Sequence, residues 1–250
     1  MSEKEQPFFV GYLPIPDALR PALLILSIAA IACFAMIAYS VGSTQDDPGD
    51  GRAFGRQTLT GVIETQPYPI LHVIDGTERI MTGDTVMLSG TGKFGVEPQA
   101  GRVAGGLVKV TGVILQRGSI RMLQVPNPNR NLAEVEGDVV LPEVKDLGRW
   151  RLAGEVCDGK CVAGAMRPGR GIAHKACAEL CILGGVPPVF VTTQPVEGHE
   201  FMMIGSEDGG KISDAVLDKT GVYIYVEGQV ELRGDIAVFL IDEETIEVLP

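Results

Sequence analysis

Hydrophobic and polar positions along the chain fall into distinct regimes. Pro21 to Gln45 carries no charged residue, and the 21 positions PALLILSIAAIACFAMIAYSV (21–41) are almost wholly apolar. At about 1.5 Å per residue such a helix covers the roughly 30 Å of bilayer hydrocarbon, so 21–41 is expected to be a transmembrane anchor, with Cys33 inside it as an ordinary small apolar residue. Thr44 to Arg56 is then rich in Gly and Asp, which predicts a flexible stalk over 42–56. Beyond it, short β-branched runs alternate with glycine-marked breaks and few helical patterns occur, which predicts an all-β body.

Two of the runs are alike. Val110 to Val125 reads VTGVILQRGSIRMLQV and Val226 to Ile241 reads VEGQVELRGDIAVFLI, with Gly112, Arg117, Gly118 and Ile120 recurring as Gly228, Arg233, Gly234 and Ile236, 116 positions on. Each predicts a β-hairpin turning at Arg-Gly-Ser or Arg-Gly-Asp. The same offset pairs Val86-Met87-Leu88 with Met202-Met203-Ile204, whereas Leu59–Ile63 matches Leu152–Val156 at an offset of 93. The 23-residue difference predicts that a fold built twice carries an insertion in its second copy, after the first strand. The pattern resembles small five-stranded barrels of the OB type, with a β-sandwich as the alternative. The expected layout is an N-terminal tail over 1–20, the anchor, the stalk, a first OB-like domain over 57–126, a linker over 127–148 and a second over 149–250 with its insertion at 157–188.

Charge sets the surroundings. The net charge is −11, of which −10 lies beyond the anchor, and phosphate backbones repel such a surface, so nucleic acid is not an expected partner. Lys4 and Arg20 before the anchor are matched by Arg52 and Arg56 after it, but Arg20 abuts the span while the far flank begins with acids. That favours a cytoplasmic N-tail and a periplasmic body. A cleaved signal peptide fits less well: Ala38-Tyr39-Ser40 imitates a cleavage site, yet the apolar run exceeds a usual signal core and few cations precede it.

The insertion holds the candidate chemistry. Cys157, Cys161, His174, Cys177 and Cys181 follow one another within CDGKCVAGAMRPGRGIAHKACAELC. Ile172 to Leu183 suits a short helix closed by Gly184-Gly185 and Pro187-Pro188. At about 100° per residue, His174, Cys177 and Cys181 would share one face, and Cys161 would complete a tetrahedral Cys3His set with Cys157 spare or alternate. Such ligands suit zinc first, then copper(I) or an iron–sulfur cluster, and Met166, His199, Met202 and Met203 are nearby soft or imidazole donors of the kind copper(I) takes. The absence of a twin-arginine signal weighs against a cluster in an exported domain. Two other readings stand beside it: structural disulfides, for instance Cys161 with Cys177 or Cys181, and a reactive thiol activated by the cations Lys160, Arg167, Arg170 and Lys175. The lone His72 reads as a strand residue rather than a base.

The string K-C-x4-M-x-P-G-x4-H-x2-C-A-x2-C-x2-G-G-x-P-P, here Lys160 to Pro188, resembles one found in bacterial membrane-anchored proteins associated with respiratory or redox systems. It covers about a tenth of the chain, and in it the position of Cys157 need not be cysteine, so the resemblance implies Cys161, His174, Cys177 and Cys181 as the working set. With no hydrolytic triad, phosphate loop or paired-carboxylate cleft in the pattern, the expectation is a single-span inner-membrane protein acting as an accessory or metal-handling subunit of a membrane redox complex rather than as an independent enzyme. The alternative is an adaptor or assembly factor with a disulfide-stapled insertion, or a thiol–disulfide protein.

Overall fold

The computed structural model describes residues 15–43, 49–137 and 139–249; most of the expected N-terminal tail (1–14) and part of the expected stalk (44–48) lie outside them. Helix α1 (Arg20–Ser43) is apolar on every side. Its Arg20–Gly42 stretch, which contains an 18-residue window of mean hydropathy 2.5, is long and apolar enough to cross a membrane.

The body, described from Gly49 on, is mostly β. Strands β1 (Arg52–Glu64), β2 (Ile70–Asp75) and β3 (Thr85–Gly90) are followed by a short helix α2 (Glu97–Ala100), the hairpin β4 (Leu107–Arg117) and β5 (Ile120–Val125), a turn of helix α3 (Pro128–Asn131) and an edge strand β6 (Leu132–Glu134). Their order is β1-β2-β3-β5-β4-β6, and β1 also pairs with β4. A second set opens with β7 (Val144–Asp158). After a helical turn at Cys161–Ala165, a 3-10 turn at Ile172–His174 and α4 (Lys175–Leu183), it continues through β8 (Pro188–Val196), β9 (His199–Ser206), α5 (Asp214–Leu217), β10 (Tyr223–Arg233) and β11 (Ile236–Val248). Its five strands close as a barrel, β10-β11-β9-β8-β7.

Registers agree between the two sets. Met87 pairs with Met122 in parallel, and Met203 pairs with Val238 in parallel. Gly61 faces Val108, as Gly154 faces Ile224. Glu64 faces Ile70, six residues on, whereas Cys157 faces Val189, thirty-two residues on. The longer excursion therefore leaves the second sheet between β7 and β8. Both glycines sit where strands cross closely: a Cβ would come within 2.1 Å of the His72 carbonyl oxygen at Gly61 and 2.3 Å of the Val191 oxygen at Gly154.

Two boundaries differ from the expectation. Arg52–Arg56 belongs to β1 rather than to a stalk, paired with β4 through Gln116, Leu115 and Val113. The segment is held by Phe54, whose ring is stacked under the guanidiniums of Arg79 (3.7 Å) and Arg52 (5.2 Å), a pairing with no signature in local composition. The stretch 127–148, expected as linker, holds α3, β6 and the start of β7, with β6 pairing onto Val108–Val110 of β4.

Each set has its own core. Leu59, Ile63, Leu71, Leu88, Ile114 and Leu123 fill the first; Phe190, Met202, Ile204, Val226, Phe239 and Ile241 fill the second, with the rings of Phe190 and Phe239 5.4 Å apart. A third cluster joins the two through matching positions: Ile70, Met87, Ile120 and Met122 from the first set meet Val189, Met203, Ile236 and Val238 from the second. The hairpin tips seal its margins. Asp235 accepts from the Thr85 amide (2.6 Å) and from Arg121 (2.6 Å), while the other tip lays Arg117 over the Phe201 ring (5.8 Å).

Arg233 also pairs with Glu64, whose second oxygen accepts from His72 Nε2 at 3.0 Å. Burial would raise the Glu64 carboxyl, but the His72 hydrogen bond and the Arg233 charge outweigh it and hold the group below its ordinary value. A carboxylate depressed in the folded state contributes stability above its unfolded value, about 4.3, and loses it as pH falls through the folded one. Glu64→Gln is therefore expected to destabilise the chain by about 1–3 kcal/mol near neutrality. That difference should shrink in acid, as read by urea unfolding in detergent at both pH values.

Candidate metal centre

The insertion is fastened on both sides. On the second barrel, Glu155 accepts from the Gly171 amide (3.1 Å) and pairs with Arg170 (3.6 Å), and Lys175 Nζ donates to the carbonyls of Asp218 (2.6 Å) and Thr220 (3.2 Å). On the first set, the Gly95 amide donates to the Gly184 carbonyl at 2.7 Å. The buried Lys160 donates to the carbonyls of Gly90 (2.9 Å) and Gly92. Gly184 closes α4 against this loop, and a Cβ there would lie 1.7 Å from the Lys93 carbonyl oxygen. The cysteines thus lie at the seam between the two sets, with Cys157, Cys161 and Cys181 part of the joining cluster and Cys177 packed against it.

The sulfurs of Cys161, Cys177 and Cys181 all lie within 4.8 Å of one another, and the Cys161 sulfur, a His174 ring nitrogen and an Asp158 carboxylate oxygen form a second group within the same distance. Cys161 belongs to both groups. His174 does not join Cys177 and Cys181 in one group: it ends a 3-10 turn, α4 begins only at Lys175, and its ring is grouped with Asp158 and Cys161 instead. Its Nε2 bonds to Asp158 Oδ2 at 3.1 Å, and Asp158 Oδ1 accepts from the Cys161 amide at 2.8 Å. Asp158 and His174 are almost fully buried, at 0% and 4% exposure, so their pairing satisfies two polar groups that would be costly to leave unpartnered. Cys157 is buried beside them and belongs to neither group. Burial pushes its thiol well up, and neighbouring Glu155 adds to the shift.

All five cysteines are free thiols. The two buried sulfurs of the sulfur trio are electrostatically unequal. Cys181 is pulled down to about 7, first by a hydrogen bond from Cys161 and then by Lys93 and Lys160, against burial and Asp158. Cys161 moves up, first because it donates that bond and then because it is buried. Lys93 Nζ lies 2.8 Å from Cys177 Sγ and 3.8 Å from Cys181 Sγ, and also donates to the Cys177 carbonyl at 3.0 Å. Its ammonium is raised, first by the bond to Cys177. The Lys160 ammonium is lowered by burial, with the nearby thiols opposing the shift.

Of the cations that the sequence grouped around the cysteines, Arg167 pairs with Asp50 (3.2 Å), Arg170 with Glu155 and Lys175 with Glu179 (2.7 Å). Only Lys160 among them acts on the thiols, and its companion is Lys93, which lies 84 positions before Cys177 and carries no local signal. Asp158 stood in the motif between Cys157 and Cys161, and its adjacency was the available clue. No family model, curated protein or solved structure matches the chain.

In metal-free reduced protein one thiol is expected to titrate near 7. Cys161→Ala should raise that value towards the ordinary thiol range by removing the donated hydrogen bond, as followed by the ultraviolet absorbance of thiolate against pH.

Proposed function

We propose that the chain is a membrane-anchored metal-binding protein in which Cys161, Cys177 and Cys181 hold one soft or borderline ion as thiolates, and that it serves as an accessory or metal-handling subunit of a bacterial membrane redox system. The observation that carries this reading is the approach of the three sulfurs to within 4.8 Å of one another. Three free thiols sharing a buried site with two ammonium groups is an arrangement in which deprotonation and metal capture are favoured together, since thiolate is the ligand and its charge is already countered. Zinc takes such a site with a fourth donor from outside the trio, and copper(I) takes it as it stands.

The rest of the reading concerns setting. The strand order, with β3 parallel to β5 and β9 parallel to β11, supports two OB-like barrels derived from one duplicated unit. In barrels of that type the face of strands 2 and 3 often takes oligonucleotides; here the corresponding residues, Ile70, Met87, Val189 and Met203, are occupied in joining the two units. Together with the acidic charge this turns the reading away from nucleic acid. Helix α1 supplies the anchor, and the charge asymmetry around it favours a periplasmic body.

A second reading is favoured by the approach of the Cys161 and Cys181 sulfurs to within 4.8 Å: the pair cycles between dithiol and disulfide, the lowered thiol attacking. Elemental analysis of the full chain purified in detergent under reducing conditions separates the two. A single equivalent of bound metal is expected for the wild type, and loss of it in Cys161→Ser and Cys181→Ser. The expected affinity falls as pH is lowered, because protons compete for the sulfurs. No bound metal, together with a mass lower by about two protons per bridge in the unreduced chain, would overturn the metal reading in favour of the dithiol.

A further inference from the structure

The surroundings of Cys177 bear on the fourth donor of the sulfur site and on which ion it takes. His174, the nitrogen donor expected from the sequence, is turned to Asp158 and is absent from the group formed by Cys161, Cys177 and Cys181. Met202 belongs to the core of the second barrel, and Met203 lies on β9 between Val189 and Val238. Met166 is placed differently. It follows the turn that carries Cys161, it is 48% exposed, and its Sδ accepts from the Cys177 thiol at 3.9 Å. An apolar side chain left half in water next to a partly exposed thiol gains little from packing there, whereas its thioether is a ligand for soft ions.

We infer that the ion is monovalent copper and that Met166 Sδ is its outer ligand beside Cys177, an inference that rests on the metal reading above. Soft thiolate and thioether donors suit copper(I), zinc and iron–sulfur clusters, and of these copper(I), the softest, is the one for which a neutral thioether adds to a thiolate set. Binding changes no oxidation state. The three thiol protons pass to solvent, and the ion replaces the proton that lies between Cys177 Sγ and Met166 Sδ. Cys161 and Cys181 are 5% and 2% exposed, so the Met166–Cys177 edge is the side from which the ion arrives.

The test is an anaerobic titration of the full chain in detergent with copper(I) competed by bicinchoninate, and with zinc(II) competed by a chromophoric chelator, for the wild type and Met166→Leu. The expected wild type binds one copper(I) and keeps it against excess zinc. Met166→Leu, at a half-exposed position where folding is not at stake, is expected to weaken copper(I) about tenfold, the low end of what losing a supporting group costs a metal site, and to leave zinc affinity unchanged. Copper K-edge absorption of selenomethionine-labelled wild type should show a selenium neighbour that Met166→Leu lacks. Equal copper affinity in both proteins without a selenium neighbour, or displacement of copper by zinc, would overturn this inference and leave the metal reading intact. A wild type that binds neither ion stoichiometrically would overturn both.

Discussion

The sulfur site depends on how the two β units are packed against each other. Ile70, Met87, Ile120 and Met122 present an apolar face on the first, and Val189, Met203, Ile236 and Val238 present the corresponding face on the second. A sheet face of this size left in water would be a large exposed apolar patch, so burying each against the other is the natural resolution. Because the same positions are used on both sides, the hairpin tips fall into reciprocal places: Asp235 reaches Thr85, and Arg117 reaches Phe201, the residue 116 positions after Thr85. Such reciprocity is characteristic of an isologous contact, here made within one chain. The loop after β3 is thereby brought to the end of α4, where Gly95 bonds to Gly184 and Lys93 meets Cys177.

That packing explains why an inserted segment became a buried site rather than a surface loop. A 29-residue excursion between β7 and β8 has more polar backbone than it can satisfy alone, and buried backbone groups need partners. The first unit supplies some of them: the Gly95 amide donates to the Gly184 carbonyl and Lys93 Nζ to the Cys177 carbonyl. Gly90 and Gly92 offer carbonyls to the Lys160 side chain, and Gly51 lies so close to the insertion that a Cβ would come within 2.7 Å of the Ala163 backbone. The thiols are therefore enclosed by two units and charged by lysines from both, one at position 93 and one at position 160. Neither unit alone contains the whole electrostatic environment of the site.

Much of this was legible in the sequence, for physical reasons that differ by residue. The hairpins at Arg117-Gly118 and Arg233-Gly234 were readable because turn chemistry and alternation are local. The long excursion between β7 and β8 lies where the cysteines cluster, a local signal of composition. The trio of Cys161, Cys177 and Cys181 was readable because Cys177 and Cys181 occupy one α-helical face. His174 was misplaced because a face argument assumes uniform helical geometry, and one 3-10 turn at Ile172–His174 breaks it. Arg52–Arg56 reads as stalk because Gly and Asp dominate its surroundings, whereas its place in β1 is set by β4 and by the Arg79 guanidinium on Phe54. Lys93 was invisible, since its role is created only when the two units meet.

The Asp158–His174 pair shows how the two groups of donors are related. Asp158 is the last residue of β7, and its two oxygens tie the Cys161 amide and the His174 ring to one fixed point. Cys161 begins the turn that leads away from the sheet, and His174 immediately precedes the helix that carries Cys177 and Cys181. A single buried carboxylate thus links the start of the insertion to the start of α4, and so fixes the separation between the first sulfur and the other two. A polar pair so fully enclosed contributes little net stability against an apolar substitute of the same shape. Its value to this chain is geometric: it holds Cys161 and α4 in register with each other before any ligand is bound, so the sulfurs need not be gathered at the expense of binding energy.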